Sequence, residues 1–248
     1  SPYKGWNLWH HVSGVVFGVL LLTWVGSGLL SMNPWGLFEG TGGRAESERL
    51  RGIDFTGREA VAAIQRFAAS GGDFPGARRI VAAPFAGQRY LAVHATSGVT
   101  RIDAATMAPA PLNEQALQQG AAWLQPESAI ASRELLTAGD AYYYDDHDGR
   151  RRYPVYRVVL ADPEQTRYYI DPVDGRLVQK TDRDARWYRW LFQALHRWDF
   201  ASVLQRRPWW DFVVLTLLLG VTAVSVTGLY LGCRRLKPRS SADRPHPR

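Results

Sequence analysis

Two unbroken apolar runs bracket a long stretch in which hydrophobic and polar positions alternate. Val12 to Met32 and Phe212 to Gly232 each contain 21 residues without a formal charge, about the length a helix needs to cross the ~30 Å hydrocarbon core of a bilayer. Trp6, Trp9 and Trp35 bracket the first run, and Trp209 and Trp210 open the second, as expected of indoles at headgroup depth. Pro208 suits a first helical turn and Asp211 complements the helix dipole there. The first run exceeds the ~7–15 residues of a signal-peptide core and no small-x-small cleavage site follows it, so it reads as a retained span. The chain begins Ser1-Pro2 without a methionine, which reads as a fragment or a processed chain.

Between the spans the periodicity changes twice in the same order. Ala60 to Phe67, entered through Phe55-Thr56-Gly57-Arg58-Glu59, places its apolar residues at helical spacing, and Gly71-Gly72 ends it. Strand-like runs follow at Arg79–Ala83, Gln88–Ala95 and Val99–Ile102, punctuated by Gly87 and Ser97-Gly98. A second helix is expected over Glu114–Leu124, then strands at Tyr142–Tyr144, Tyr153–Leu160, Thr166–Ile170 and Leu177-Val178. Ile102-Asp103 and Ile170-Asp171 end equivalent strands 68 residues apart, a weak tandem repeat of a helix-plus-antiparallel-sheet unit. The expected fold class is therefore α+β, a membrane protein with two transmembrane helices flanking two such units. By number the partition is 1–11 N-terminal segment, 12–33 first span, 34–54 flexible linker, 55–112 first unit and 113–182 second unit. An interfacial amphipathic helix and loop follow over 183–207, then the second span over 208–232 and a basic tail over 233–248.

Charge changes the picture only once it is located. The net charge is +7 over 248 residues, which would fit a nucleic-acid binder if it formed a patch. From Cys233 to Arg248, however, six basic residues face one acid, so the excess sits in the tail and nucleic acid is not an expected partner. Under the positive-inside rule the tail and Lys4 stay in the cytoplasm while the nearly neutral middle is translocated. The expected location is a bacterial inner membrane, with both termini cytoplasmic and residues 36–207 periplasmic. Cys233 is the single cysteine, which excludes an internal disulfide framework and an all-cysteine metal site.

The run Tyr168-Tyr169-Ile170-Asp171-Pro172-Val173-Asp174-Gly175-Arg176-Leu177 looks like the end of a PepSY domain. Trp9-His10-His11-Val12-Ser13-Gly14, Leu195-His196-Arg197 and Thr227-Gly228-Leu229-Tyr230-Leu231 resemble the PepSY-associated transmembrane proteins of bacteria. The resemblance covers nearly the whole chain. It implies tandem PepSY-like units, a role in iron acquisition, and a haem-dependent transmembrane ferric reductase that acts on ferric iron or a ferric siderophore. Haem b is the implied cofactor, with an unidentified cytoplasmic electron donor. Members of that family usually carry four spans where this chain shows two, so further haem ligands would come from a second protomer, a partner subunit or additional spans.

Three histidines carry the candidate chemistry. His10 and His11 stand at the edge of a span, where an ionisable group is costly unless it has a partner or a task, and imidazole is a common axial haem ligand. His10, Gly14 and Gly18 share one helical stripe, a flat surface for a macrocycle or for another helix of the small-xxx-small type. Gly220, Val224, Gly228 and Gly232 repeat that theme in the second span, where a close crossing of the two helices is sufficient explanation. His196 lies in Trp187–Phe200, whose Trp187, Trp190, Leu191, Ala194 and Trp198 form an apolar stripe, expected to lie on the outer membrane surface. By helical spacing His196 falls opposite that stripe, a solvated position, whereas the resemblance makes it an outer-side haem ligand. A 21-residue span is ~30 Å long, so the inner and outer histidines cannot hold one iron between them.

Asp145-Asp146-His147-Asp148-Gly149 offers carboxylates and an imidazole, but Tyr144 stands where a calcium loop needs its first aspartate. Asp148-Gly149 reads better as a hairpin turn. His94 reads as a packing or surface residue and His246 as part of an unstructured tail. A reading from another class is a membrane-tethered PepSY module that binds or inhibits a peptidase or other periplasmic partner without a cofactor. It expects an exposed tyrosine-rich surface built from Tyr142, Tyr143, Tyr144 and Tyr156.

Overall fold

A computed structural model describes residues 2–36, 38, 42–70, 74–145, 151–200 and 207–236. The chain forms two compact units, one of Ser1–Leu37 with Trp187–Arg248 and one of Phe38–Arg186. The architecture is α+β, with a long apolar helix near each end and two antiparallel sheets in the intervening unit.

The first unit is built on α1 (Gly5–Ser31) and α7 (Trp209–Leu236). Both are long and apolar enough to cross a membrane, with mean hydropathy 1.9 and 2.3 over their best windows. Only 11% of each window is buried, so neither helix is the enclosed core helix of a water-soluble domain. Each starts outside its uncharged run: Gly5 to His11 extend α1 by about two turns before Val12, and α7 begins at Trp209. The two helices pack together through the expected close crossing. A Cβ on Gly220 would stand 2.2 Å from Phe17 Cε1, so only glycine lets that ring approach.

The intervening unit contains α2 (Arg44–Arg51), α3 (Gly57–Ala69) and a sheet of β1 (Ala77–Ala82), β2 (Tyr90–Ala95) and β3 (Gly98–Asp103). It continues with α4 (Glu114–Leu124) and a sheet of β4 (Ile130–Leu136), β5 (Val155–Leu160), β6 (Arg167–Ile170) and β7 (Leu177–Thr181). Both sheets run in sequence order with antiparallel neighbours. A capping box fixes the start of α3: Thr56 Oγ1 accepts from the Glu59 amide, and the Glu59 carboxylate accepts from the Thr56 amide at 2.9 Å. Asn113 caps α4 in the simpler way, accepting from the Ala116 amide at 2.8 Å.

Side-chain alternation gives each sheet two different faces. Leu91, Val93 and Ile102 pack under Ala63 of α3. Tyr156, Val158, Leu160, Tyr168 and Ile170 pack with Leu117, Ala121 and Leu124 of α4. The opposite face of the second sheet is covered at Val155 and Tyr169 by Tyr143. Helix, then antiparallel strands, therefore recurs, with three strands in the first copy and four in the second. Asp103 ends the third strand of the first sheet and Asp171 follows the third strand of the second, and each accepts a turn amide two residues on, from Ala105 and Val173 at 2.8 Å.

Several expectations change. Residues 34–54 are not a plain linker: α2 forms there, Leu50 is 1% exposed in the main core, and Glu46 bonds Lys180 of β7 at 2.8 Å. Tyr142–Tyr144 is a bend, not a strand, and the first strand of the second sheet is β4. The bend forms because Asp140 Oδ1 accepts from the amides of Tyr142 and Tyr143, at 2.9 and 2.7 Å, which ties that backbone into an Asx turn. Tyr143 and Tyr156 are 3% and 2% exposed while Tyr142 and Tyr144 are half-buried, so Tyr143 and Tyr156 are not part of the open surface that a tethered binding module was expected to show. Asp146, His147, Asp148 and Gly149 lie outside the described residues, as does His246.

Candidate functional site

His10 and His196 occupy matching surroundings at opposite ends of the α1–α7 unit. His10, on the second turn of α1, places Nδ1 3.0 Å from Thr227 Oγ1 of α7. The next residue, Gly228, leaves room for the ring: a Cβ there would lie 3.1 Å from His10 Cε1. His196 places Nδ1 3.2 Å from Ser27 Oγ of α1, and a Cβ on Gly28 would lie 3.6 Å from His196 Cε1. Each imidazole thus faces a hydroxyl residue followed by glycine on a neighbouring helix.

The hydroxyl protons decide the tautomers. Thr227 Oγ1 is 2.7 Å from the Ala223 carbonyl and Ser27 Oγ is 3.2 Å from the Trp24 carbonyl. A hydroxyl that gives its one proton to the helix carbonyl accepts from the ring. In that arrangement the ring nitrogen is the donor, Nδ1 carries the proton and Nε2 is left as the acceptor. Fixing one ring nitrogen by a hydrogen bond is how proteins present the other to a metal.

Backbone geometry explains how His196 reaches α1. After α5 (Arg183–Tyr188) the chain makes a π-helical stretch, Arg189–Ala194, before the short α6 (Leu195–Arg197). A π turn takes in an extra residue, rotating everything after it relative to an α-helix. The solvated position expected from regular spacing is therefore corrected: His196 turns toward α1 and stacks on Phe192 with centroids 5.0 Å apart. The stripe itself is divided, with its Ala194 fully buried. Trp187 and Trp190 are exposed, while Arg189 is 5% exposed and donates to the Asp199 carbonyl at 2.7 Å. Trp198, in the left-handed region at φ 56°, ends the segment, and Trp210 Nε1 binds the Arg197 carbonyl at 2.8 Å.

Two further features bear on a prosthetic group. Gly14 and Gly18, below His10 on α1, have no heavy atom within 4 Å of where a Cβ would stand, so the helix surface there is flat and open. The Trp24 indole N–H is buried without a hydrogen-bond partner among the described residues, and its ring centroid lies 6.5 Å from that of His196. A buried donor of this kind is satisfied by a polar or anionic group seated beside it. His10 and Ser27 are 17 positions apart on one helix, so the two histidine sites are separated by about 26 Å along its axis. His11 is exposed on another side of α1 and meets the Tyr3 ring at 4.7 Å, so it is not brought together with His10. Cys233 is exposed, and no group of three His, Cys, Asp or Glu converges among the described residues.

No family model matches the chain, and no curated protein or solved structure matches it.

Proposed function

We propose that this chain is a membrane haem protein that transfers electrons for the reduction of ferric iron or a ferric siderophore on the extracytoplasmic face of a bacterial inner membrane. The observation that carries the reading is the pair of imidazoles, His10 and His196, each with Nδ1 committed to a hydroxyl and Nε2 available, at opposite ends of two apolar helices. A bound haem b would supply one-electron redox chemistry. His10 and His196 would each hold the iron of a separate haem, Thr227 and Ser27 would keep the rings in the ligating tautomer, and Gly14 and Gly18 would leave space beside His10. Further ligands to each iron would come from a second protomer, a partner subunit or additional spans. Resemblance of the histidine motifs to PepSY-associated transmembrane proteins supports the same reading.

Orientation belongs to the proposal. Six basic residues against one acid after Gly232 favour a cytoplasmic C-terminus, which puts His10 at the cytoplasmic side, near the electron donor, and His196 at the periplasmic side. The test is the visible spectrum of the full chain purified from haem-sufficient cells, with iron reduction assayed alongside. A Soret band lost in steps by His10→Ala and His196→Ala, but unaffected by His11→Ala, is the expected result. A colourless protein, or a band indifferent to His10 and His196, overturns the reading.

A further inference from the structure

The unit between the spans contains an unassigned binding cavity. It has a volume of about 290 Å³ and lies between the first sheet and the turn that joins β6 to β7. Register explains its first wall. Arg79 of β1 pairs with His94 of β2, and Val81 pairs with Ala92, so these four side chains share the sheet face opposite α3. Arg176 and Asp174 come from the β6–β7 turn, and Arg152 from the approach to β5. Val81, Ala92, Leu50 and Leu177 give the cavity an apolar lining between these charges.

The charges do not cancel internally. Arg51 at one edge is committed to Asp54. The guanidinium groups of Arg79, Arg152 and Arg176 make no ion pair or hydrogen bond with any described residue. Among the described residues Asp174 is the one carboxylate lining the cavity, and it stands near Arg101, which pairs with Ala92 on the same sheet face, lies over the Tyr90 ring and donates to the Ala110 carbonyl at 2.7 Å. Arg152 and Arg176 lie within electrostatic reach of Asp174, and three exposed guanidiniums against one lining carboxylate leave an excess of about two positive charges facing one open cleft. Arginine forks bind carboxylates in bidentate fashion, and an apolar lining between separated forks suits an anion with a carbon skeleton better than a compact inorganic ion.

We propose that this cavity binds a small organic polycarboxylate, free or as its ferric chelate, through Arg79, Arg152 and Arg176. The site lies in a different unit from the histidines and does not depend on the haem reading.

Isothermal titration of the detergent-solubilised full chain with citrate, ferric citrate and inorganic phosphate tests it at fixed ionic strength. Citrate is expected to bind at least tenfold more tightly than phosphate. Arg79→Gln, Arg152→Gln and Arg176→Gln should each weaken citrate about tenfold, and Arg58→Gln, an exposed change on α3 away from this sheet face, should not. Circular dichroism of each variant matching that of the unaltered chain makes those losses attributable to the site. Ferric citrate binding more tightly than citrate assigns the chelate as ligand, and equal binding assigns the free acid. Absence of citrate binding, phosphate binding as tightly as citrate, or three arginine variants that bind citrate as the unaltered chain does would each overturn the proposal.

Discussion

Phe85 fills the space that a side chain on Gly120 would occupy: a Cβ at position 120 would stand 2.1 Å from Phe85 Cζ. Phe85 comes from the β1–β2 connection and Gly120 from the middle of α4, so the contact joins the two sheet-bearing halves of the intervening unit. Glycine inside a helix costs about 1 kcal/mol relative to alanine, and here close approach of the ring offsets that cost. Gly120→Ala is therefore expected to destabilise, through overpacking, by roughly 2–3 kcal/mol, lowering the melting temperature by about 5–10 °C. Combined with Phe85→Leu, the same change should cost much less, and a double-mutant thermal series measures the difference.

What the sequence made legible follows from how local each signal is. The α4 boundaries and the three strands of the first sheet depend on periodicity within a few residues, and the structure shows them with shifts of at most two positions, while α1 starts seven residues before its apolar run and α7 ends four after its own. Helix α2 was missed because Arg-Ala-Glu-Ser-Glu-Arg-Leu-Arg has one large apolar residue, Leu50, and its partners lie far along the chain. Strand β4 was missed for a related reason. Residues 131–135 are all exposed, so Ile130–Leu136 carries no inward stripe and forms by pairing with β5. His196 was placed on the wrong face because a regular helical wheel cannot anticipate a π turn. The partnership of each histidine with a hydroxyl-glycine pair was missed entirely, although Ser27-Gly28 and Thr227-Gly228 were visible as a recurring dipeptide.

The Glu46–Lys180 ion pair fastens α2 to β7 across 134 positions of chain, with side chains 9% and 11% exposed. Burial works to raise the Glu46 pKa, but the bond from Lys180 and the nearby Arg49 outweigh it and hold it below the ordinary carboxylate value. Removing one partner leaves the other charge buried, so Lys180→Met should destabilise more than the double variant Lys180→Met with Glu46→Leu. Chemical unfolding of the four chains in the cycle is expected to give a coupling of about 1–3 kcal/mol. Zero coupling would mean that α2 is held without the ion pair, by Leu50 and by the Arg49 bond to the Leu124 carbonyl.

Asp140 gives the intervening unit a defined acid limit. Its carboxylate accepts from the Tyr142 and Tyr143 amides, from Arg157 Nη1 at 2.9 Å and from the Tyr169 hydroxyl at 2.9 Å. Burial raises its pKa, but these donors together pull it below the ordinary value of 3.8. A carboxyl group depressed on folding stabilises the folded state fully above its unfolded pKa, and that contribution fades as pH falls through the lower folded value. Stability is therefore expected to fall with acid below about pH 4 in the unaltered chain. Asp140→Asn should be less stable at neutral pH by about 1–3 kcal/mol and lose less on further acidification. Parallel melts from about pH 6 to pH 3 read both effects, and curves of identical slope would show that Asp140 is not the group responsible.

The hydroxyls at Thr227 and Ser27 provide the most discriminating test, because structural and haem-related roles predict different sizes of effect. As a helix-to-helix contact, the His10–Thr227 hydrogen bond contributes only about 1 kcal/mol, so Thr227→Val should barely alter the melting of the protein. As the group that holds the His10 ring in its ligating tautomer, Thr227 should matter much more, since loss of such a partner typically weakens metal binding by about 10–100-fold. Thr227→Val is thus expected to lose haem faster to an apo-protein acceptor and to shift the midpoint potential of one haem, leaving the other unchanged. Ser27→Ala should do the same to the His196 site. Ser13→Ala, whose hydroxyl bonds only carbonyls of its own helix, should do neither. Equal haem retention in all three variants would leave Thr227 and Ser27 as helix-packing residues and remove the tautomer argument on which the haem assignment stands.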